Sequence, residues 1–373
     1  MIYLDNAATT FPKPDTVVNA INDFLKNDGG NPGRSGHLLS RKSSEKIYEC
    51  REMMCKYLGM ANPERIIFTK NTTEAINLAI KGIIKSGDEI ILSSMEHNSV
   101  LRSCIKAEQK GATVKIAKAH PDGHIESSDI ISLITDKTKL ICIIHASNVI
   151  GTLNPVREIT KEARKRGVFT LVDAAQTAGI VEVDTQCGDL IAFAGHKALY
   201  GPFGTGMLYV SEGITLDTLI EGGTGSLSES AFMPTVLPDR FEAGTLNACG
   251  IAGLLEGIKF VMREGVSEKE KELSLFMKEQ FSSIKGVKLI GNSAIALSGL
   301  SIKEHDCVEI SARLDNEFEI ATRAGLHCAP MAHRTLGTIS SGLLRISAGY
   351  FNTKDDISRT AYAIESIITN KKM

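Results

Sequence analysis

The chain has 373 residues, with 42 lysines and arginines against 44 acidic residues for a net charge of -2, and 43% of it is hydrophobic. Charges of both signs are interspersed, which excludes the basic footprint of a nucleic-acid binder or a membrane-surface protein and leaves small molecules or proteins as partners. No apolar run approaches a bilayer span, and the start MIYLDNAATT has no basic region leading into a hydrophobic stretch, so a cytoplasmic protein is expected.

Eight cysteines are scattered with no C-x-x-C pair, which argues against a disulfide framework or a structural zinc site. The length suits one large and one small domain. In chain order, the opening dozen residues, ending in FPKPD, read as an extended segment before a helix beginning near Asp15. From about residue 62 to 210, short β-branched runs alternate with helix-like stretches such as TTEAINLAIKGIIKSG and VREITKEARKRG. The runs are RIIFT (65–69), DEIILS (88–93), ATVKI (112–116), KLICIIHA (139–146), VFTLVDA (168–174) and DLIAFAG (189–195). Strands that are apolar on both faces and separated by helices predict an α/β unit, a mostly parallel sheet covered on each side. Helical stretches at 246–284 and 354–370 then flank strand candidates at 286–290, 307–314 and 343–348, the pattern of a smaller α+β unit. The division expected is a large domain over 15–250 and a small one formed by 1–14 with 251–373.

In an open parallel sheet, ligands sit beyond the carboxyl ends of the strands, so the informative residues are those where the apolar runs stop. NTTEAIN opens a helix after RIIFT, so Thr72 and Thr73 occupy either an ordinary Thr N-cap or an anion site favoured by unpaired N–H groups and the helix dipole. His97 follows DEIILS, Asn148 follows KLICII, and Asp173 ends the next strand as a helix cap or the counter-ion of a buried cation. Past DLIA comes FAGHKALYGP, which sets Lys197 beside His196 at the end of an apolar strand. Fixing a lysine there costs about 2 kcal/mol of rotamer freedom, and more if it is desolvated, so a use is expected. A phosphate site, an Asp able to hold a protonated ring nitrogen, a His able to stack and a Lys able to form a Schiff base together meet the needs of pyridoxal 5'-phosphate, with Lys197 as the Schiff-base lysine.

Other motifs carry less. No complete G-x-G-x-x-G or P-loop occurs, and GGTGS (222–226) reads as a flexible turn. His120 and His124 have metal-ligand spacing, but the intervening Pro-Asp-Gly marks a turn, and His305 with Cys307 fits one face of a strand; no metal is expected. In the tail, ATRAGLHCAP sets Cys328 in a loop near Arg323 and Arg334, where cationic neighbours and partial exposure favour a thiolate nucleophile. GLLRISAGYFNT holds Arg345 within an apolar strand, where a guanidinium needs an anion: a structural carboxylate, or a substrate carboxylate gripped bidentately.

YLDNAATT, NTTEAIN, EHNS, SNVIGTLNPV, VDAAQ, GHKALYGPFGTG, RFEAGT, RAGLHCAP and LRISAGYFNT, in this order over nearly the whole chain, resemble the class V aminotransferase fold, in particular the cysteine desulfurases and selenocysteine lyases. The resemblance implies a pyridoxal phosphate enzyme of fold type I, with a seven-stranded type of sheet in the large domain, working as a homodimer with its sites at the subunit interface. It implies Lys197 as the Schiff-base lysine, His97 stacked on the ring, Asp173 on the ring nitrogen and Gln176 on the phenolic oxygen. Thr72, Thr73 and His196 would hold the phosphate, with Thr245 reaching it from the other subunit. Asn148 and Arg345 would grip the substrate carboxylate, Arg323 would line the same pocket, and Cys328 would accept the chalcogen. The short segment from Cys328 to Arg345 is similar to the second group of desulfurases.

Two departures stand out. Ala194 occupies a position where the family usually carries Ser or Thr, and NPGRSGHLLS, with Arg34 and His37, matches loosely. The implied reaction takes sulfur from L-cysteine as a persulfide on Cys328 and releases L-alanine, with Lys197 moving the α-proton; a sulfur- or selenium-acceptor protein would follow. The alternatives are a selenocysteine lyase acting on L-selenocysteine, a class V aminotransferase or other β-lyase with no need of Cys328, and a non-catalytic scaffold.

Overall fold

Alternate residues along each strand face opposite sides of the sheet, and this chain buries both sides. The computed structural model describes residues 1–33 and 35–369; Arg34 lies outside the described residues, as does the end of the helix expected to run to 370. The strands in chain order are β1 (Ile2–Tyr3), β2 (Ile66–Thr69), β3 (Glu89–Ser93), β4 (Thr113–Ala117), β5 (Thr138–Ile144), β6 (Phe169–Asp173), β7 (Leu190–Ala194), β8 (Gly206–Val210), β9 (Val287–Ile290), β10 (Leu297–Ile302), β11 (Ile320–Ala321), β12 (Arg323–Gly325) and β13 (Leu343–Ser347). Seven of them form one sheet in the order β2-β8-β7-β6-β5-β3-β4, in which β8 alone runs against its neighbours.

On one face Ile91, Ile141, Ile143, Val172, Ile191 and Phe193 pack against the helices Leu38–Leu58, Val156–Arg164 and Ala248–Arg263. The residues between them, Ile90, Leu92, Leu140, Cys142, Leu171, Leu190 and Ala192, pack on the other face against Thr72–Ile83 and Asn98–Glu108. This is the period of two that a doubly covered sheet requires.

The tail forms an antiparallel sheet, β12-β13-β10-β9, covered by the helices Val266–Ser282, Cys307–Phe318 and Lys354–Ile368. Ile2 and Leu4 join that second core, and β1 pairs with β11. Two expectations are corrected here. The stretch 307–314 is not a strand but the start of helix Cys307–Phe318: Asp306 caps it by accepting N–H groups from Val308 (2.6 Å) and Glu309 (3.2 Å), and Ile310 and Leu314 recur at helical spacing. The helical stretch 246–284 breaks at Gly265, whose φ of 64° lies in the left-handed region.

One helix sets the depth of the loop that carries Lys197. A Cβ at Gly257 would stand 2.3 Å from the Leu199 carbonyl and 2.9 Å from the Gly201 nitrogen, both backbone atoms of that loop. Gly257→Ala gains up to about 1 kcal/mol of helix propensity, but the clash with backbone outweighs it. The expected outcome is a lower melting temperature; a raised one would contradict this packing.

Candidate active site

Because β8 alone is reversed, the carboxyl ends of the other large-sheet strands open on one edge. Asn71, Thr72, Thr73, His97, Ser99, Ile144, Asn148, Asp173, Ala175, Gln176, His196 and Lys197 line a single cavity there. Eight of the residues singled out from the sequence therefore meet at one place.

Each is set by a local device. The N-cap of helix Thr72–Ile83 is Asn71 rather than a threonine, its Oδ1 accepting the Glu74 N–H at 2.9 Å. Thr72 and Thr73 thus take the first two helical positions, whose N–H groups have no intrahelical partner and carry the positive end of the dipole. His97 caps helix Asn98–Glu108: its Nδ1 accepts the Ser99 N–H at 3.1 Å and lies 2.9 Å from Ser99 Oγ. Burial, reinforced by Lys197 and Arg323, pulls its pKa down to about 4. A neutral ring accepting at Nδ1 carries its proton on Nε2.

Asp173, buried at the end of β6, accepts the Ala175 N–H at 3.0 Å; burial raises its pKa, while Lys197 opposes the rise. Lys197 is half-buried, and desolvation lowers its pKa to about 8 against the opposing pull of Asp173. Gln176 donates Nε2–H to the Ala7 carbonyl (3.0 Å). His196 is held neutral, its pKa lowered to about 4 by burial and then by Lys197 and Lys13.

The tail brings the rest. Asn148 donates Nδ2–H to the His327 carbonyl (2.7 Å), and Asn98 N–H donates to the Cys328 carbonyl (2.7 Å), so the Cys328 loop is tied to the elements that carry Asn148 and His97. His327 and Cys328 both have left-handed backbones, with φ of 48° and 57°, and Cys328 is exposed. Holding non-glycine residues there costs of order 1–3 kcal/mol each and projects the thiol out of the fold. Arg323 Nη2 lies 3.9 Å from Cys328 Sγ.

Arg345 is buried and has found the structural carboxylate that the sequence reading weighed: Nη2 donates to Asp5 (2.7 Å) and Nη1 to the Asn148 carbonyl (3.0 Å), while Nε has no partner. That does not neutralise the neighbourhood. Arg323 and Arg345 are directly opposite in the β12–β13 ladder, an arrangement of like charges that destabilises a sheet, and Asp5 balances only one of them. An anion is still wanted there.

Sequence reading missed Asp5, Glu96 and Lys13. Glu96, with its pKa raised to about 8 by burial, accepts from the Ile144 N–H (2.8 Å) and from Ser93 Oγ, tying the ends of β3 and β5 together below His97. Its place beside His97 in EHNS was the available signal. Thr245 is exposed and away from the cavity, in a separate hollow with Lys70, Glu74 and Asn247. His120 and His124 face each other across a turn with ring centroids 6.1 Å apart, and among the described residues no three metal-ligating side chains cluster.

The cavity fits pyridoxal phosphate on its own features. His196 Nδ1 and Asn148 Oδ1 are buried without protein partners, a buried carboxylate and a depressed lysine share one wall, and a helix N-terminus opens on it.

Residues 2–360 match the family Aminotransferase class-V. The chain is 34% identical over 380 residues to a Methanothermobacter thermautotrophicus protein named "Probable cysteine desulfurase", covering 98% of this chain and 94% of that one. It is 32% identical over 383 residues to a cysteine desulfurase of Salmonella typhimurium, covering 98% and 93%. Its fold matches the apo structure of the cysteine desulfurase from Thermococcus onnurineus NA1 with a TM-score of 0.92 at 30% identity, over 99% of this chain and 95% of that one.

An amine attacks an aldehyde as its free base. In cofactor-free protein, capture of pyridoxal phosphate followed by visible absorbance should therefore accelerate with pH through a midpoint near 8, the lowered pKa of Lys197. An ordinary lysine would place that midpoint above about 10.

Proposed function

Since the chain belongs to the aminotransferase class-V family, we propose that it is a pyridoxal-phosphate-dependent cysteine desulfurase, taking sulfur from L-cysteine onto Cys328 and releasing L-alanine. The observation that carries this reading is the pairing of the Lys197 cavity with an exposed thiol on a strained loop stapled to two of the cavity's own elements. A family member without persulfide chemistry has no need of that loop.

In this reading Lys197 is the cofactor lysine, Asp173 holds the ring nitrogen, Gln176 faces the phenolic oxygen and His97 stacks on the ring. Thr72, Thr73 and His196 hold the phosphate. When bound, the cofactor supplies an electron sink for the pair left at the substrate α-carbon. The remaining work falls to the chain. Asn148 and the Arg323–Arg345 pair hold the substrate carboxylate, which supplies the anion the cross-strand arginines lack. Lys197, whose pKa desolvation lowers to about 8, takes the α-proton through its free-base form, a form an ordinary lysine barely reaches near neutral pH. The Cys328 thiolate attacks the substrate sulfur: an S–S bond forms, the carbon–sulfur bond breaks with its electron pair passing to carbon, and the skeleton leaves as L-alanine after protonation. Arg323 Nη2, 3.9 Å from Sγ, lies beside the attacking sulfur.

We propose further that the protein is a homodimer in which Thr245, exposed in its own subunit, completes the partner's phosphate site, and that an acceptor protein collects the persulfide. The boundary between the domains is drawn at the Glu264–Gly265 break rather than near 250, because Ile251, Leu254, Leu255 and Ile258 belong to the large sheet's core.

The test compares alanine release from L-cysteine and L-selenocysteine by wild type and Cys328→Ala. The expected result is turnover of L-cysteine by wild type, reduced by about 10³-fold or more in the variant through loss of the nucleophile. Intact turnover of L-cysteine by the variant would favour an aminotransferase or other β-lyase. Activity confined to L-selenocysteine would identify a selenocysteine lyase, and inertness toward both would overturn the assignment.

A further inference from the structure

The segment from Asp5 to Lys13 touches several of the proposed site residues yet contributes none of them. Asp5 pairs with Arg345, the Ala7 carbonyl accepts from Gln176, and the remainder closes on the backbone of His196 and Lys197. There the contacts converge on one atom. The His196 carbonyl accepts from Lys13 Nζ (2.8 Å), Thr9 Oγ1 (3.0 Å) and the Thr10 N–H (3.2 Å), with Thr10 Oγ1 also within 3.3 Å, a crowd of donors on an oxygen with two lone pairs. Lys13 Nζ also donates to Thr10 Oγ1 (2.7 Å), and that hydroxyl donates onward to the Lys197 carbonyl (3.0 Å).

The Lys13 amine thus grips the peptide bond between His196 and Lys197 directly on one side and through the Thr10 hydroxyl on the other. Pro12 and Pro14 flank Lys13 and fix the backbone that presents it. Lys13 is not among the cavity's lining residues, so it acts through the peptide rather than by contact with a substrate. Its pKa, lowered to about 7 by burial alone, marks an amine drawn out of water without a carboxylate partner to offset the cost. A merely structural lysine has little reason to be there.

We propose that Lys13 is a positioning residue for Lys197: its charge-assisted bonds orient the His196–Lys197 peptide so that the Lys197 amine meets the cofactor and the substrate α-proton. The inference rests on the reading of Lys197 as the cofactor lysine. It predicts a separation of effects, since the substrate-carboxylate grip depends on the Asp5 end of the segment and Lys197 on the Lys13 end.

The experiment uses the full chain as wild type, Lys13→Met, which keeps the apolar stem, and Lys13→Arg, which keeps charge and donors. For each, cofactor is removed and re-added while visible absorbance reports the rate of capture, and kcat and KM for L-cysteine are measured on the reloaded protein. Lys13→Met is expected to slow capture and lower kcat about tenfold or more, the effect of losing a charged hydrogen-bond donor, with KM within about twofold. Lys13→Arg should restore both. Unchanged capture and kcat in Lys13→Met would overturn the proposal; so would a rise in KM matching the fall in kcat, the mark of a segment that has simply come loose. Should Lys13→Met fail to fold, Thr10→Val removes the relaying hydroxyl and faces the same criteria. Borohydride trapping of the wild type separates the two readings: an unmodified Lys197 defeats the functional assignment itself, whereas a trapped Lys197 with normal Lys13→Met kinetics defeats only the role of Lys13.

Discussion

Desolvating one amine is the constraint around which this molecule is arranged. A lysine among the strand ends of a doubly covered sheet loses hydration that a single carboxylate, Asp173, only partly replaces, and its affinity for a proton falls accordingly. The same surroundings push neighbouring groups toward neutrality. His97 and His196 are held uncharged chiefly by burial and secondly by the Lys197 ammonium, while Glu96 is kept protonated chiefly by burial, with the Asp173 charge adding to it. The carboxylate at the end of β6 is left as the anion facing the lysine.

That constraint explains why two sheets are needed. The large sheet supplies the cavity, while the buried Arg345 guanidinium and the exposed Cys328 thiol lie on other elements. Both come from the small sheet, which approaches closely enough that a Cβ on Gly299 would stand 2.8 Å from the Val149 carbonyl. β13 then delivers Arg345 against Asn148, and the loop after β12 delivers Cys328 against the start of helix Asn98–Glu108. The N-terminal segment closes the assembly from the opposite side. Asp5 bridges to Ser347 of β13, and Thr9 and Thr10 reach the Lys197 loop. A stretch of a dozen residues thereby spans both sheets, which explains why the first strand of the chain belongs with the last third of it.

Much of this was legible in the residues. Apolar runs such as LICII, buried at every position from Leu140 to Ile144, read as central strands, and the polar residue that ends each one marks the ligand edge. What escaped did so for physical reasons. LSGLSI, which forms β10, carries serines and a glycine because it must pass close to the Val149 backbone, and that composition mimics a loop. Helix Leu38–Leu58 buries Ser40 and Ser43 in its first turns, so its apolar stripe starts late. The stretch 307–314 has an alternation that fits a strand locally, and the cap at Asp306 with the burial of Ile310 and Leu314 decides for a helix. Asp5 and Lys13 escaped because nothing near them in sequence reveals what they touch.

The alanine at 194 tests how the cradle beneath the cofactor is built. Its lost hydroxyl removes a bond to a charged group, worth roughly 1.5–3 kcal/mol when nothing replaces it. Ala194 pairs with Gly206, and a Cβ at Gly206 would stand 2.6–2.7 Å from backbone atoms of Asn71, the cap of helix Thr72–Ile83. The bare glycine lets the helix N-cap press directly against the start of β8. The seat of that helix therefore depends less on the residue at 194 than on the absence of a side chain at 206.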